Sequence, residues 1–332
     1  MTTRMLHYVV ALLLIGCGLF WVAPAQATIT CSTAAMTAVS FSTVNPLSTQ
    51  GTTSANLTYT CQNSTGGGTH SATLCFSIGE PGGNQTNPRL MKSGSNTLQF
   101  QLYQNPGFTT VWGSQYFGSN TPLIVSVTLG GGASTNGTAT LNAQVLGGQT
   151  TAIPGTYSDN YANGDTALTI NDQAGNTAPG SCSGTQSNTV FFPFNVTATV
   201  QKNCTVAAND LSLGSVAAGT TPSSGSSTLS VSCSYTTPYN VGLAPLNVAN
   251  TNGAGTMKGT GTNTNTVTYQ LYSNSGLSTV WGNSVTATST GNGVAGTGSG
   301  VAQTLNVYAK VTSTTDVQPD NYSDTVQVNV NY

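Results

Sequence analysis

The stretch Val190–Cys204, VFFPFNVTATVQKNC, lies between two halves of the chain and decides how both are interpreted. Apolar side chains occupy every second position of its first eleven residues: Val190, Phe192, Phe194, Val196, Ala198 and Val200. The intervening positions, apart from Phe191, are polar or turn-forming. A period of two is typical of a half-buried β-strand and not of a helix. The stretch is therefore predicted to be a strand, here called the junction strand.

The regions on either side of the junction strand repeat one another. Cysteines and short motifs align at offsets that fall from 173 to 165 residues: Cys31 with Cys204, Cys61 with Cys233, Asn96–Tyr103 with Asn265–Tyr272, Thr110–Gly113 with Thr279–Gly282, and Tyr157–Asp159 with Tyr322–Asp324. A tandem duplication explains this alignment, and the falling offset gives the first half the longer loops. We expect a first domain over residues 28–200 and a second over residues 201–332.

Short alternating segments recur through both halves, and no stretch after residue 27 shows the sustained 3.6-residue period of an amphipathic helix. The predicted strands are Ala55–Cys61, Thr97–Tyr103, Leu123–Leu129 and Thr138–Leu146, then Ser227–Cys233, Val267–Tyr272, Gln303–Val311 and Thr325–Tyr332. Gly, Asn, Pro and Ser, the residues of turns, separate them. The sequence predicts an all-β protein of two tandem immunoglobulin-like β-sandwiches.

Residues 1–27 have the layout of a secretory signal peptide. Arg4 gives a short positive start, Val9–Val22 is almost wholly apolar, and Ala25–Ala27 is a small-x-small cleavage site. A membrane anchor is the alternative, but the apolar run is short for a span and the cleavage site follows it directly. Export of the chain is therefore expected.

Six cysteines follow the expected cleavage site: Cys31, Cys61, Cys75, Cys182, Cys204 and Cys233. An even number in an exported chain indicates disulfides. Only Cys204 and Cys233 are available for a pair within the second half. The repeat places the matching first-half bond at Cys31–Cys61 by analogy, which leaves Cys75–Cys182 as an additional bond of the first half.

Charged residues make up only 4% of the chain, and its formal net charge is −2. No basic patch is available for nucleic acid or for anionic lipid. Groups for acid–base catalysis are equally scarce: His70 is expected to be a surface residue of a Gly/Ser/Thr loop, and Glu80 is the only glutamate. Asp159–Asp165 resembles a calcium loop only faintly, because Ile170 stands where the bidentate Glu belongs. We predict no enzyme, no metal and no cofactor.

The two halves differ after the shared Tyr-Ser-Asp motif. The first half continues to the junction strand, whereas the second makes one more strand, carrying Val326, Val328, Val330 and Tyr332. The second sandwich is therefore expected to lack its last strand and to expose an acceptor groove beside those four residues. A groove of core side chains beside unpaired edge amides is an aggregation hazard unless another chain fills it.

The repeated blocks resemble the spore coat protein U domain, the subunit fold of archaic (Csu-type) chaperone–usher pili. The resemblance rests on the Cys204-Thr205-Val206 opening, the block 265–282 (NTNTVTYQLYSNSGLSTVWG) and the closing segment 321–332 (NYSDTVQVNVNY). It covers the second half nearly end to end, and the first half in the same blocks with longer loops. The resemblance implies incomplete sandwiches that receive a strand from a periplasmic chaperone and then from the next subunit.

The resemblance also implies a position within the fibre. Subunits of this family donate a strand that precedes their first cysteine, and here only Thr28–Thr30 separate the expected cleavage site from Cys31. Three residues are too few to fill a strand-sized groove. The chain is therefore expected to accept a strand without giving one, as a two-domain tip adhesin does. Its expected partners are a periplasmic pilus chaperone, an outer-membrane usher, an adjacent pilin subunit and an abiotic or host surface.

The junction strand occupies the position of a donor strand in a single-domain subunit. We expect Phe192, Phe194, Val196 and Val200 to be donated in cis to the first domain. Burial of each of these side chains contributes roughly 1.5–3 kcal/mol as an upper value. The alternative is an exposed linker, which would leave the apolar row in water.

Loops specific to the first half are the candidates for surface binding. Their apolar residues are Phe108, Tyr116, Phe117, Leu123, Ile153 and Pro154, framed by Gly and Asn on an almost uncharged surface. The alternative is that these side chains belong to the core. The first functional hypothesis is a tip adhesin in attachment and biofilm formation. A structural spore-coat or cell-surface protein and a secreted glycan-binding lectin are the other two.

Overall fold

The structure, a computed structural model, describes residues 28–332 except 49, 65–67, 82–86, 117–120, 184–186 and 221–222. The expected signal peptide and the candidate binding residue Phe117 lie outside the described residues. The described part is all-β, with twenty strands and no α-helix. Within it, no helix is long and apolar enough to cross a membrane. The predicted fold class, two tandem β-sandwiches, is confirmed.

Twelve strands build the first sandwich. They are β1 (Ile29–Met36), β2 (Val39–Val44), β3 (Gly51–Asn63), β4 (His70–Ile78), β5 (Arg89–Ser93), β6 (Asn96–Tyr103), β7 (Leu123–Leu129), β8 (Ser134–Val145), β9 (Gly155–Tyr161), β10 (Thr166–Ala174), β11 (Ser187–Val190) and β12 (Phe194–Val200). One sheet has eight strands in the order β1-β3-β8-β6-β5-β9-β12-β2, and the other has four in the order β11-β10-β4-β7. Alternate side chains of both sheets meet in a single core.

Eight strands build the second sandwich. They are β13 (Cys204–Ala208), β14 (Ser224–Cys233), β15 (Pro238–Pro245), β16 (Ala254–Lys258), β17 (Thr266–Tyr272), β18 (Val294–Thr297), β19 (Ala302–Val311) and β20 (Val326–Asn331). A five-stranded sheet has the order β13-β14-β19-β17-β16, and a three-stranded sheet has the order β18-β15-β20. These strands enclose a core of their own, separate from that of the first sandwich.

The duplication seen in the sequence recurs as matched contacts. Trp112 donates its indole N–H to the carbonyl oxygen of Phe76 over 2.8 Å, and Trp281 donates to that of Val241 over the same distance. Both tryptophans are fully buried, so their N–H groups need a partner inside the protein. The two Trp-Gly motifs therefore hold the same position in both sandwiches, where each connects a loop to the opposite sheet.

Three disulfides stabilise the described part of the chain. Cys31–Cys61 joins β1 to β3, and Cys204–Cys233 joins β13 to β14 in the second sandwich. Cys75–Cys182 links β4 to the segment after β10. The first two occupy matching positions, and the third has no counterpart in the second half. These are the pairs that the internal repeat indicated.

Candidate functional site

In the first sandwich, the junction strand lies alongside β9 and β10. β11 pairs antiparallel with β10, with Val190 opposite Leu168, and β12 pairs antiparallel with β9, with Phe194 opposite Tyr161. Residues 191–193 interrupt the two strands. On its other side, β12 pairs in parallel with β2. The junction strand thus occupies the space between β9 and β2 in the eight-stranded sheet.

The apolar row of the junction strand is buried in the first core. Its members are all at most 5% exposed: Phe192, Phe194, Val196 and Val200. The ring of Phe194 stacks on that of Tyr161 with centroids 4.6 Å apart, and the ring of Phe192 meets Phe76 edge-on at 6.1 Å. Aromatic pairs add about 0.5–1.5 kcal/mol beyond the burial of their area. Side-chain packing and backbone pairing both hold the junction strand in the first sandwich. It is therefore not an exposed linker.

The second sandwich has a sheet edge at the matching position. β20 pairs with β15 alone among the described strands and ends the three-stranded sheet. Val326, Val328 and Val330 are half-buried, and Tyr332 is 43% exposed. β10, which pairs with the equivalent strand β4, is by contrast covered on its other side by β11. The amides and carbonyls on the outer side of β20 therefore face no described strand.

The segment Leu211–Val216 is the second-half counterpart of β2. Its sequence LSLGSV repeats VSFSTV at an offset of 172 residues. The fourth position of both segments, Ser42 and Gly214, has a positive φ, of 52° and 75°. β2 pairs with β12, whereas Leu211–Val216 forms no strand. This correspondence was not predicted from the sequence.

Together, β20 and Leu211–Val216 define the candidate groove. Leu211 and Leu213 are half-buried, and they pack against the same core cluster as the valines of β20. Val216 is 45% exposed, whereas Val44 at the same position of β2 is buried. Both borders of the groove therefore expose apolar surface, whereas their first-half counterparts β10 and β2 are covered by β11 and β12 of the junction strand.

One end of the candidate groove carries two hydrogen-bonded carboxylates. Asp324 accepts a hydrogen bond from the hydroxyl of Tyr269 over 2.9 Å. Asp320 accepts bonds from the backbone and hydroxyl of Thr260 and from the amide of Asn263, and these bonds lower the pKa of Asp320 below its ordinary value. Because both carboxylates already accept hydrogen bonds from within the sandwich, they stabilise this end of the groove and are not arranged for catalysis.

Three of the candidate binding residues of the first half have different surroundings in the structure. Phe108 lies in a turn with a positive φ of 52° and packs edge-on against Tyr103 at 5.4 Å, so it is half-buried. Leu123 is not on a loop tip, because it opens β7 and packs against the core. Tyr116 is 56% exposed.

Ile153 and Pro154 lie at the end of the first sandwich from which the chain leaves for the second. They precede Gly155, which pairs with Val200, the last residue of β12. Both side chains are half-buried, and the carbonyl oxygen of Ile153 accepts a hydrogen bond from the hydroxyl of Tyr157 over 2.8 Å. This loop therefore serves as the anchor of the Tyr157 side chain.

His70 differs from its expected place in a surface loop. It opens β4, and its Nδ1 lies 3.0 Å from Oδ2 of Asp172 on β10. Its side chain is only 13% exposed. The Gly-rich residues that precede it indicated a loop, but pairing with β10 extends the strand to His70. No cluster of three or more His, Cys, Asp or Glu suited to a metal occurs in the described part.

A buried ion pair in the first sandwich was not found from the sequence. Arg89 Nε lies 2.9 Å from Oε1 of Glu80, and the guanidinium also donates to three backbone carbonyls, including that of Trp112. Burial raises the pKa of Glu80 to about 7, although the charge of Arg89 opposes this, and burial raises the pKa of Asp159 to about 6. Because the guanidinium of Arg89 is bound to Glu80 and to these backbone carbonyls, we interpret the ion pair as structural.

Comparison with known proteins gives a family and a fold. A profile of the Spore Coat Protein U domain matches residues 17–162 and again residues 190–329, so the second match begins at the junction strand. No curated protein sequence matches the chain. Among solved structures, it is similar to one from the CsuC–CsuE chaperone–tip adhesion subunit pre-assembly complex of archaic Csu pili of Acinetobacter baumannii, with 15% identity, a TM-score of 0.50, and coverage of 90% of this chain and 100% of that chain.

A second similar structure is the CupB6 tip adhesin of Pseudomonas aeruginosa, with 12% identity and a TM-score of 0.37 over 92% of this chain and 94% of that chain. The family match and the fold indicate a structural protein rather than an enzyme, as predicted. Because the two profile matches together span more than half of its length, the chain belongs to the Spore Coat Protein U domain family.

Proposed function

We propose that this chain is the tip adhesin subunit of a chaperone–usher pilus. In this proposal the second sandwich is incomplete and accepts a strand, first from a periplasmic pilus chaperone and then from the adjacent pilin subunit. The first sandwich is completed in cis by the junction strand and binds a surface in attachment and biofilm formation. The route leads through the periplasm and the outer-membrane usher to the tip of a pilus on the cell surface.

One observation carries the proposal. In the first sandwich, the junction strand covers both borders, because β11 pairs with β10 and β12 pairs with β2. Their second-half counterparts, β20 and Leu211–Val216, face no described strand on that side. Unpaired edges with apolar side chains are rarely left open in soluble proteins, because they template pairing with other chains. Addition of a strand to such an edge is an established mode of protein recognition. A chain with one filled and one open position accepts one neighbour, as expected at the end of a fibre.

The comparisons supply the context for the partners. The A. baumannii structure is described as a complex of a chaperone with a tip adhesion subunit. Its fold similarity to this chain supports a strand-donating chaperone as partner. The low charge, with only 4% Asp, Glu, Lys and Arg, argues against nucleic acid as an alternative partner.

The decisive experiment supplies the missing strand from the chain itself. The full chain is extended after Tyr332 by a short Gly/Ser linker and a copy of residues 189–202. The first sandwich joins β10 to β11 antiparallel, so the extension can return along β20 in the same sense. The matched control carries the same extension with Asp at the positions that copy Phe194 and Val196.

We expect the extension to raise the unfolding temperature of the second sandwich by at least about 10 °C over the Asp control, because several buried apolar side chains are worth a few kcal/mol. It should also reduce aggregation of the purified chain. Equal unfolding temperatures for the two extended variants would contradict a strand-accepting groove and would favour a closed structural coat protein.

A further inference from the structure

The two sandwiches are joined by only three residues, because β12 ends at Val200 and β13 begins at Cys204. Relative motion is the default for two domains of one chain unless their contact is extensive. A short linker restrains such motion further when its own backbone is hydrogen-bonded to the domains. The partners of residues 201–203 therefore decide how freely the two sandwiches move.

Gln201, the first residue of the linker, is bound by both sandwiches. Its backbone N–H donates to the carbonyl oxygen of Val44, the last residue of β2, over 3.1 Å. Its carbonyl oxygen accepts a hydrogen bond from the hydroxyl of Ser234 in the second sandwich over 3.2 Å. Only the φ and ψ angles of one residue separate its N–H from its carbonyl. Gln201 is therefore the pivot between the sandwiches, and it is anchored on both sides.

Ser234 attaches the end of the linker to the second sandwich. Its hydroxyl accepts a hydrogen bond from the backbone N–H of Asn203 over 2.8 Å, and its backbone N–H donates to the carbonyl oxygen of Asn203 over 2.9 Å. Ser234 is fully buried and follows Cys233, which forms a disulfide with Cys204 at the end of the linker. The hydroxyl of Ser234 is therefore a fixed attachment point.

A second contact between the sandwiches lies at Gly300, in the turn between β18 and β19. Gly300 is buried and has a φ of 76°, and a Cβ atom built on it would overlap the backbone carbonyl of Thr150, in the loop between β8 and β9. Only glycine allows two backbones to approach so closely. The two loops, residues 148–154 and 298–301, include no Asp, Glu, Lys or Arg. The contact is therefore not an ion pair.

Both loops of this second contact are fixed to their own sandwich. The backbone N–H of Gly300 donates to the carbonyl oxygen of Cys233 over 3.0 Å. In the first sandwich, the side-chain amide of Gln149, next to Thr150, donates to the carbonyl oxygen of Gln99 over 2.9 Å. Each loop would have to break a hydrogen bond of its own sandwich to move away from the other.

We infer that Gln201, Ser234 and the Gly300–Thr150 contact form a rigid joint, which holds the two sandwiches in one orientation. A pivot alone would let the sandwiches swing about it, whereas a second contact at another place blocks that motion. The inference goes beyond the proposed adhesin function and does not depend on it, because the joint involves neither the candidate groove nor a bound surface.

The test compares the tumbling of the two sandwiches within the full chain by amide ¹⁵N relaxation and residual dipolar couplings. The joint variant is Gly300→Ala, whose Cβ would overlap the Thr150 carbonyl. The matched control is Gly219→Ala, because Gly219 has a φ of 74° and open space around a Cβ. Both substitutions introduce similar backbone strain in the second sandwich, but only Gly300→Ala affects the contact with the first.

Two further variants complete the set. Ser234→Ala removes the hydroxyl that holds Gln201 and Asn203 and leaves the Gly300–Thr150 contact in place. A Gly-Ser-Gly-Ser insertion after Gln201 gives the reference for two sandwiches on a free linker. Calorimetry verifies that each variant keeps both unfolding transitions.

We expect wild type and Gly219→Ala to show one alignment tensor and equal rotational correlation times for both sandwiches. These values should be the same at low salt and at about 0.5 M NaCl, because screening acts on charges and not on backbone contacts. In Gly300→Ala, the correlation times should fall at least halfway to those of the insertion variant, since each sandwich then reorients partly on its own. Ser234→Ala should shift them in the same direction.

The outcomes distinguish the parts of the joint. Separate alignment tensors for the two sandwiches of wild type would overturn the rigid joint, and the adhesin proposal would be unaffected. A Gly300→Ala variant that tumbles like Gly219→Ala would overturn the role of the Gly300–Thr150 contact. If Gly300→Ala fails to fold, Ser234→Ala decides: tumbling identical to wild type would then contradict the linker anchor.

Discussion

β10 and β20 hold the same position in the two sandwiches, but their surroundings differ. β10 has a strand on each side, whereas β20 is paired on one side only among the described strands. The borders that flank this position have similar sequences, as β2 and Leu211–Val216 show. The two sandwiches share the bordering segments, a matching disulfide and a buried tryptophan. They differ in the junction strand, which is present in the first sandwich and has no counterpart among the described strands of the second.

The largest expected effect comes from opening the filled position in the first sandwich. Phe194→Asp combined with Val196→Asp places two carboxylates in a core where the wild-type side chains are at most 5% exposed. An unpaired buried charge costs several kcal/mol, so we expect a loss above ~4 kcal/mol and disappearance of the first-sandwich transition in calorimetry. The transition of the second sandwich should remain.

A matched control uses the opposite face of the same strand. Asn195 and Thr199 are exposed, so their replacement by Asp adds the same charge without burying it. This double variant should unfold like wild type. If Phe194→Asp with Val196→Asp also left the first transition unchanged, the junction strand would not be a structural part of the first sandwich.

The second effect in size concerns the disulfides. Cys75–Cys182 closes a separation of 107 residues and exists only in the first half, whereas Cys204–Cys233 closes 29. Chain entropy assigns these bonds about 5 and about 4 kcal/mol. Replacing Cys75 and Cys182 by Ser should therefore lower the stability of its sandwich by about 1 kcal/mol more than the Cys204–Cys233 replacement does, as measured by denaturant unfolding. An equal or reversed order would show that native-state contacts outweigh loop closure.

The sequence was sufficient for the strands because their alternation is local. The pattern of Leu98, Phe100 and Leu102, for example, gives β6 almost to the residue. The role of Leu211–Val216 was not predicted, because a six-residue segment of two leucines, two serines, a glycine and a valine has no strong strand signal of its own. Its counterpart β2 becomes a strand only by parallel pairing with β12, which is a long-range contact.

The candidate site was harder to predict than the fold for the same reason. Phe191 breaks the alternation of the junction strand, and only the folded chain shows that its side chain is 43% exposed beside the fully buried Phe192. Likewise Glu80 and Arg89 are distant from recognisable motifs, and only the folded chain joins them. Local patterns predict elements, whereas faces and ion pairs depend on how sheets assemble.

The third prediction concerns pH, which should affect the two sandwiches in different ranges. The pKa of Glu80 is raised to about 7 and that of Asp159 to about 6, above their values in an unfolded chain. The folded first sandwich thus binds protons more tightly, so its unfolding temperature should rise as pH falls from 8 to 5. In the second sandwich the pKa of Asp320 is lowered, so acidification below pH ~4 should reduce its stability.

Calorimetry across this pH range separates the two transitions. Glu80→Gln should reduce the pH dependence of the first unfolding temperature between pH 6 and 8. Asp320→Asn should reduce the loss of stability of the second sandwich in acid. A first sandwich whose unfolding temperature falls steadily from pH 8 to pH 5 would contradict the burial of Glu80 as the source of its raised pKa.

The smallest expected effect uses a hydrogen bond that both halves share. Tyr157 donates its hydroxyl to the carbonyl of Ile153 over 2.8 Å, and Tyr322 donates to that of Gln318 over 2.7 Å. Tyr157 is fully buried, so water replaces its hydroxyl less readily and Tyr157→Phe should cost about 1–2 kcal/mol. Tyr322 is half-buried beside the candidate groove, so water can replace the lost donor and Tyr322→Phe should cost less than about 1 kcal/mol.

The difference in unfolding free energy lost by Tyr157→Phe and by Tyr322→Phe measures how accessible the candidate groove is to water. In the strand-extended variant, the added strand should cover Tyr322 as β12 covers Tyr157, because Ala198 of β12 lies opposite Tyr157. The cost of Tyr322→Phe should then rise toward that of Tyr157→Phe in denaturant unfolding. A cost that stays the same with and without the extension would mean that the added strand does not occupy the position of β12, even if it stabilises the chain elsewhere.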